Sequence, residues 1–311
     1  MQKQIIKLFF LLVTFFMLPN FVRAAITFDA NGKWETTFDC DEANTDIIWS
    51  CDGLSEGGSA VSGMRPTQIT IPANNVTGGG FRGARFWIGD GDDINSQPLK
   101  VDFSSHEPEL WVRWYMRYPM GFQWLNNEIG YDKWLYFYAN GGTPQTIINQ
   151  DNGSFRIYNQ AVSTIGNNWQ GISSSDPAWG GVVGYPMKWT ILMSGNVSDG
   201  EWHSFEVYIK MDTNSADGIG RMWVDGVLVI NSFILNYSGG LNVAREGWDY
   251  FNFKSNQNWP NNGSEMPIDF DDIIVFNNTP PNLDESGNPF IGPIGYGDVV
   301  PPGAPSGLAV I

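Results

Sequence analysis

Several segments of this sequence place aromatic, amide and cationic side chains at alternate positions, where a β-strand turns them to one face. Flat aromatic rings pack against the C–H faces of sugar rings, whereas guanidinium, ammonium and amide groups bind hydroxyls and carboxylates. We therefore predict that these side chains line one groove that binds a polysaccharide. The groove positions given by this alternation are Arg85 and Trp87 in GARFWI, Trp111, Arg113, Tyr115 and Arg117 in LWVRWYMRY, and Tyr250, Asn252, Lys254 and Asn256 in DYFNFKSN.

The chain has two histidines, and the sequence favours a structural role for the one on a strand. His203 shares the parity of Phe205 and Val207, so a regular strand turns it toward the core. We predict a core or edge position for His203 rather than catalysis. His106 lies in the loop SSHEPE, where a solvated or turn-capping role agrees with the sequence at least as well as chemistry does.

The acids DFDD in the final predicted strand are the nearest approach to a catalytic carboxylate pair. Carboxylates that hydrolyse a glycosidic bond must stand about 5–10 Å apart across it, and we do not expect DFDD to do so. Because calcium prefers hard oxygen ligands, we predict that Asp269 and Asp271 help to bind a structural calcium ion, and that the loop GDGDDIN is a second candidate. Solvated acidic segments are the alternative for both, and no other cofactor is expected.

The elements that position these residues are predicted to be strands. Aromatic residues make up 14% of the chain and charged residues 16%, there are 36 glycines, and few segments have apolar residues at helical spacing. So many strands joined by Gly, Asn and Ser loops predict an all-β fold, a two-sheet antiparallel jelly-roll sandwich. The predicted strands include Gly80–Ile88, Leu99–Phe103, Leu110–Tyr118, Trp134–Asn140, Ser154–Tyr158, Met187–Met193, Tyr250–Phe253 and Ile268–Phe276. The alternative for the groove is that its residues lie on two different sheets, or pair with surplus acids on an ordinary outer surface.

The first 24 residues have the pattern of a secretory signal peptide: two lysines, an apolar run and a small-residue end. We therefore predict a secreted protein, extracellular or periplasmic, with no membrane span. Removing the leader leaves 14 basic against 33 acidic residues, a net charge of −19, which excludes nucleic acid as an expected partner. Export also favours a disulfide between Cys40 and Cys51; a reactive thiol or a metal pair is the alternative.

Changes in composition divide the remaining chain. We predict a jelly-roll domain over 25–278, with the long loop 161–185 as a lid or rim. The segment 279–311 is rich in Pro and Gly and is predicted to be a linker. Its end, PPGAPSGLAVI, is similar to the start of a fibronectin type III domain and is too short to fold as one.

The hairpin GEWHSFEVYIKMDTNSADGIGRMWVDGVLV is similar to one in the concanavalin A-like lectin and glucanase jelly rolls, where a Trp-His pair opens one strand and Trp-x-Asp-Gly closes the next. The order FRGARFW, LWVRWYMRYPMGF, that hairpin, YFNFKSN and IDFDDIIVF resembles heparin-lyase-like and glucuronan-lyase-like polysaccharide lyases. The resemblance covers about residues 80–276. The Glu-x-Asp-x-x-Glu strand of the glucanases is absent from this chain.

Lyases of this kind cleave uronic acid polymers by β-elimination, and the resemblance implies roles for individual residues. Arg85 matches the strand arginine near the substrate carboxylate, and Tyr250 and Lys254 match the strand that usually reads Tyr-Phe-Lys-x-Gly-x-Tyr. The second tyrosine of that strand is Asn256 here, which cannot act as an acid or base. The usual Gln-x-His is also absent, and YDKWLYFYA offers Lys133, Tyr136 and Tyr138 instead.

The resemblance therefore implies a polysaccharide lyase-like protein with a polysaccharide as its partner. The expected catalytic residues are Arg85, Lys133, Tyr138, Tyr250 and Lys254. The expected substrate contacts are Trp87, Trp111, Arg113, Tyr115, Arg117, Asn252 and Asn256. The alternative is a non-catalytic, lectin-like or adhesive module of a modular surface protein, which the replaced tyrosine and histidine favour.

Overall fold

A computed structural model describes residues 25–40, 52–56, 68–69, 74–88, 98–120, 122, 132–151, 154–160, 169–173, 193–194, 197–257 and 266–296. Several predictions fall outside these residues and stay predictions: the signal peptide, the disulfide partner Cys51, the second calcium candidate GDGDDIN, most of the lid and the fibronectin-like end. Within the described ranges, no helix is long and apolar enough to cross a membrane.

The described residues form strands and one short 3-10 helix, Asn242–Glu246. The strands, in chain order, are β1 (Lys33–Thr36), β2 (Ser55–Glu56), β3 (Gln68–Ile69), β4 (Ala84–Ile88), β5 (Leu99–Glu107), β6 (Glu109–Arg117), β7 (Asp132–Ala139), β8 (Gln145–Asp151), β9 (Ser154–Gln160), β10 (Trp169–Ser173), β11 (Met193–Ser194), β12 (Val197–Ser198), β13 (His203–Lys210), β14 (Gly218–Val224), β15 (Val227–Leu235), β16 (Trp248–Gln257), β17 (Met266–Phe276), β18 (Asn282–Leu283) and β19 (Pro289–Phe290).

Two antiparallel sheets form a sandwich, which confirms the all-β jelly-roll prediction. The eight-stranded sheet has the order β15-β14-β13-β6-β17-β4-β3, with β1 also paired to β17. The seven-stranded sheet has the order β10-β9-β8-β7-β16-β5-β2. From β4 to β7, consecutive strands alternate between the two sheets, as in a jelly roll.

Aromatic rings from both sheets fill the core. Trp114 and Phe205 of the eight-stranded sheet meet Trp134 of the seven-stranded sheet, with ring centroids 6.3 Å (Trp114) and 4.7 Å (Phe205) from Trp134. All three rings are fully buried. Each such aromatic pair stabilises the fold by about 1 kcal/mol beyond the apolar area that it buries. The core therefore fixes how the two sheets lie on each other.

The outer face of the eight-stranded sheet is covered by residues 279–296, here called the C-terminal segment. Phe290 and Ile291 of this segment pack with Trp111, Tyr208 and Trp223 in a second buried cluster. This packing keeps apolar residues of the sheet, such as Trp111 and Trp223, from water. The domain boundary at residue 278 stays a prediction.

Candidate functional site

The structure does not form the single groove predicted from strand alternation. Trp111, Arg113 and Tyr115 do face away from the core, but they are 3%, 3% and 7% exposed. The C-terminal segment lies on them: Trp111 Nε1 donates to Pro289 O at 3.1 Å, and Arg113 donates to Gly292 O at 2.9 Å. These three residues are therefore not on an open face, because strand parity does not show what covers a face; their role as substrate contacts stays a prediction.

Arg85 and Arg117 share the outer face of that sheet and bind one acid. Both Asp269 oxygens accept from Arg85, at 2.7 and 3.0 Å, and Oδ2 also accepts from Arg117 at 2.7 Å. Trp87 lies beside Arg85, whose guanidinium carbon is 5.6 Å from the ring centroid. These residues are therefore on the opposite side of the sandwich from the seven-stranded sheet, and Arg85 does not lie with the predicted catalytic tyrosines.

The calcium site predicted at Asp269 and Asp271 does not agree with the structure. Asp269 is fully buried between the two arginines, so its oxygens already have cationic donors. Asp271 accepts from the backbone N–H groups of Val76 and Asp272, both at 2.7 Å. Among the residues that the structure covers, no group of three or more His, Cys, Asp or Glu could hold a metal ion.

Both histidines contact acids; His203 lies on the eight-stranded sheet, whereas His106 lies on β5 of the seven-stranded sheet and not in the predicted loop. His203, at the start of β13, has Asp225 at 2.8 Å from Nδ1 and Asp199 at 3.1 Å from Nε2. Burial alone would lower the pKa of His203, but the two carboxylates outweigh it and raise that pKa. His106 is half-exposed and has Asp249 at 2.5 Å. The edge position of His203 agrees with the structural role predicted for it.

The candidate site is the outward face of the seven-stranded sheet, where the remaining predicted residues meet. Cross-strand pairing sets Tyr250 opposite Tyr138, and Asn252 opposite Tyr136 on one side and Lys100 on the other. Residues directly opposite on antiparallel strands share a face. We call this set the lysine–tyrosine face: Lys100, Asp102, Lys133, Tyr136, Tyr138, Tyr250 and Asn252.

Local sequence explains why β7 presents its tyrosines. Leu135, Phe137 and Ala139 enter the main core, so Tyr136 and Tyr138 between them face outward. Trp134 also lies in the core, because a register shift between Lys133 and Leu135 interrupts the alternation. On the other face of the strand, Tyr138 is partly exposed, whereas Tyr136 is buried with Ile147.

The rings of this face form a continuous stack flanked by cations. The Tyr138 ring lies 4.5 Å from Tyr250 at an interplanar angle of 17°, and 6.0 Å from Tyr136 at 19°. Lys100 Nζ lies 4.0 Å from the Tyr250 ring centroid, and Lys133 Nζ lies 5.7 Å from that of Tyr136. The two flat sides of the Tyr138 ring therefore face the neighbouring tyrosines, and Lys100 and Tyr136 are only 5% and 6% exposed. The partly exposed edges and hydroxyls of Tyr138 and Tyr250, together with the ammonium groups, are what can meet a sugar chain that carries carboxylates.

Burial affects the polar groups of this face. Lys133 is half-buried, and this burial lowers the pKa of its ammonium group. Lys100 forms an ion pair with Asp102 Oδ1. Within the described part of the chain, the buried atoms Asp102 Oδ2 and Asn252 Oδ1 have no hydrogen-bond partner.

Of the predicted site residues, Lys133, Tyr138, Tyr250 and Asn252 lie together on this face. Lys254 and Asn256 lie in β16, where Asn256 pairs with Lys133, but their side chains lie outside the described structure. The sequence prediction missed Lys100 and Asp102. They alternate with apolar Leu99, Val101 and Phe103 in LKVDF, so the same parity rule identifies them.

No protein-family model matches the sequence, and no curated protein matches it. Among solved structures, the chain is similar to alginate lyase Aly36B as a double mutant in complex with alginate trisaccharide, at 13% identity and a TM-score of 0.48, over 80% of this chain and 99% of that one. It is also similar to Cellulose induced protein, Cip1, at 12% identity and a TM-score of 0.40, over 80% and 93%. A botulinum neurotoxin type C structure has 12% identity and a TM-score of 0.42, over 72% and 43%. These likenesses concern strand arrangement and assign no activity.

Proposed function

We propose that this protein binds an anionic polysaccharide on the lysine–tyrosine face and cleaves it by β-elimination. The observation that carries the proposal is the stack of Tyr136, Tyr138 and Tyr250 with Lys100 and Lys133 at its two ends. We also propose that the protein is exported, since its first 24 residues have a leader pattern. A uronic acid polymer outside the cytoplasm is then the expected partner.

Charge supports an anionic ligand at this face. The whole chain has a net charge of −16, so an anionic polymer is repelled by most of its surface. Salt screens such repulsion beyond about 10 Å. On the face itself, Lys100 and protonated Lys133 stand against Asp102, a local surplus of one positive charge. Asn252 adds an amide beside them, and the tyrosine rings contribute packing against sugar C–H groups.

β-Elimination needs three groups, and this face has candidates for each. Lys100 pairs with the uronate carboxylate and the Asn252 amide donates a hydrogen bond to it, which makes the neighbouring C5 proton more acidic. The neutral amine of Lys133 takes that proton. The electron pair left on C5 forms a C4–C5 double bond as the C4–O bond breaks, and the Tyr138 hydroxyl donates its proton to the leaving oxygen. A lowered pKa keeps more of Lys133 in the neutral form that a base needs.

A binding module without catalysis is the second candidate. Asn256 pairs with Lys133 at the strand position where the resembled lyases have a tyrosine, and an amide cannot transfer protons. His203, on the other sheet, contacts Asp225, and His106 contacts Asp249, the residue before Tyr250. A protein that keeps the aromatic stack and the lysines without a competent acid and base would bind uronans and leave them intact.

The two functions are separated by one assay with two readouts. The purified protein is incubated with alginate, glucuronan, heparin and pectin, and the ultraviolet absorbance of the unsaturated uronate is followed alongside binding. We expect an absorbance rise with at least one polymer, its loss in Lys133→Ala, and its retention in the control Lys210→Ala, a lysine paired with Glu109 on the other sheet. Binding with no absorbance on any polymer would reject the lyase and keep the binding module.

A further inference from the structure

A second cleft lies on the other side of the sandwich, between β1, the end of β17 and the C-terminal segment. Its volume is about 730 Å³, within the range of small-molecule sites. We propose that this cleft binds a neutral saccharide unit, independently of the lysine–tyrosine face. Its lining includes Lys33, Glu35, Arg113, Asp272, Asn282 and Tyr296.

Buried side chains hold the wall of this cleft in place. Glu206 accepts from Ile291 N at 2.7 Å and from Gly292 N at 2.9 Å. Arg113 donates to Gly292 O, and the Tyr115 hydroxyl accepts from Ile294 N at 2.7 Å. Because these bonds fix the backbone of the C-terminal segment before any ligand arrives, binding loses little conformational entropy.

The charges that line the cleft are balanced. Arg113 and Asp272 form a buried ion pair at 2.5 Å, with side chains 4% and 7% exposed. Lys33 and Glu35 form a second ion pair, which is more exposed. Two cations and two anions give this lining no net charge, so it gives an anionic ligand no overall attraction. A neutral ligand leaves both ion pairs intact.

The polar groups suit hydroxyls, which both donate and accept hydrogen bonds. The Glu35 carboxylate can accept from a hydroxyl, and the Lys33 ammonium can donate to one. Asn282 donates to Ile291 O at 2.6 Å, which leaves its carbonyl oxygen for a ligand. Neighbouring donors and acceptors of this kind match the vicinal hydroxyls of a sugar.

Tyr296 supplies an aromatic surface. It is 41% exposed, its hydroxyl donates to Leu283 O at 3.1 Å, and its ring meets Phe290 edge-on at 4.7 Å. The ring is therefore held in position while part of it stays open to solvent. An aromatic side chain beside balanced polar groups is the chemistry that recognises a neutral pyranose.

The test titrates the full protein with neutral mono- and disaccharides, including glucose, galactose, mannose and cellobiose, by saturation-transfer NMR and calorimetry. We expect saturable binding of at least one of them, weakened about tenfold or more in Tyr296→Ala. Glu35→Gln changes an exposed residue and should weaken binding of the same sugar. This second variant keeps the test decisive if Tyr296→Ala does not fold.

The control is Tyr138→Ala on the lysine–tyrosine face, which should leave neutral-sugar binding unchanged. Three results would overturn the proposal: no saturable binding of any neutral saccharide, binding of uronates in preference to neutral sugars at the cleft, or loss of binding in Tyr138→Ala but not in the cleft variants. Uronan cleavage is measured separately and concerns the other face. The proposal for one site can therefore be rejected while the proposal for the other stands.

Discussion

Tyr138 and Tyr250 lie at directly opposite positions of neighbouring strands, and their rings stack at 4.5 Å and 17°. The two residues are 112 positions apart in the chain, so this platform exists only when β7 and β16 pair. Lys100, from a third strand, lies over the outer ring. The proposed polysaccharide site is therefore a product of the seven-stranded sheet rather than of one sequence motif.

The first prediction concerns the platform itself. Tyr138→Ala removes the central ring, so we expect uronan affinity to fall about tenfold, the size of one lost aromatic contact. Calorimetry or affinity electrophoresis on alginate measures the change. Phe233→Ala removes an exposed ring from β15 of the other sheet and should leave affinity unchanged; equal losses in both variants would contradict the assignment.

The second prediction separates the charge of Lys133 from its proposed role as base. Arginine keeps the positive charge but does not deprotonate in proteins. Lys133→Arg should therefore retain uronan binding within about threefold while lowering cleavage by about 100-fold or more. Cleavage by the natural protein should rise with pH to a plateau reached below the ordinary lysine pKa, since burial lowers the pKa of Lys133. Full cleavage by the arginine variant would show that another group is the base.

The third prediction concerns stability and His203. The carboxylates of Asp225 and Asp199 raise its folded-state pKa despite burial, so the protonated ring stabilises the fold below the unfolded pKa of about 6.5, and this stabilisation is lost as pH rises through the folded-state pKa. His203→Gln should lower the free energy of unfolding by about 1 kcal/mol near pH 5 and by much less near pH 9. Urea unfolding measures both, and a loss that does not change with pH would contradict the ion-pair explanation.

The fourth prediction concerns the acid beneath the C-terminal segment. Complete burial raises the pKa of Glu206 to about 7, although the N–H groups of Ile291 and Gly292 oppose that rise. Since the folded-state pKa lies above the unfolded one, Glu206 contributes stability that is present below the unfolded pKa and is lost as pH rises through about 7. In urea unfolding, Glu206→Gln should remove this pH dependence.

Glu206→Gln should also loosen the C-terminal segment. The amide has one acceptor oxygen for two backbone donors, so one buried N–H loses its partner at a cost of about 1–3 kcal/mol. Hydrogen exchange at Ile291 and Gly292 should become faster, whereas exchange in β7 should not change. Unchanged protection at both amides would show that Glu206 does not hold the segment.

The sequence predicted the strands better than the surfaces that they form. The alternation in LWVRWYMRY placed β6 within one residue of its observed bounds, Glu109–Arg117, and correctly turned Trp114 to the core. It could not show that Phe290 and Ile291, more than 170 residues later, cover the other face. Whether a strand face is covered depends on packing between residues far apart in the chain. The sequence around Trp111 and Arg113 carries no information about that packing.

The sequence also did not show which strands belong to the same sheet. Arg85 and Tyr250 have the same alternating pattern, but β4 pairs with β17 and β16 pairs with β5 and β7, which puts the two residues on opposite sides of the sandwich. The resemblance to lyases combined residues from both sheets for this reason. Lys133, Tyr138 and Tyr250 stay together because β7 and β16 are neighbours.

The most direct measurement is the affinity of an alginate oligosaccharide for two double variants that lose equal charge. Lys100→Met with Lys133→Met changes the lysine–tyrosine face, and Lys33→Met with Lys210→Met changes exposed, ion-paired lysines elsewhere. We predict that the variant without Lys100 and Lys133 loses about 100-fold in affinity at low salt, and that its remaining affinity depends less on salt concentration. The variant without Lys33 and Lys210 should bind as the natural protein does. Equal affinities for the two variants would contradict binding at the lysine–tyrosine face.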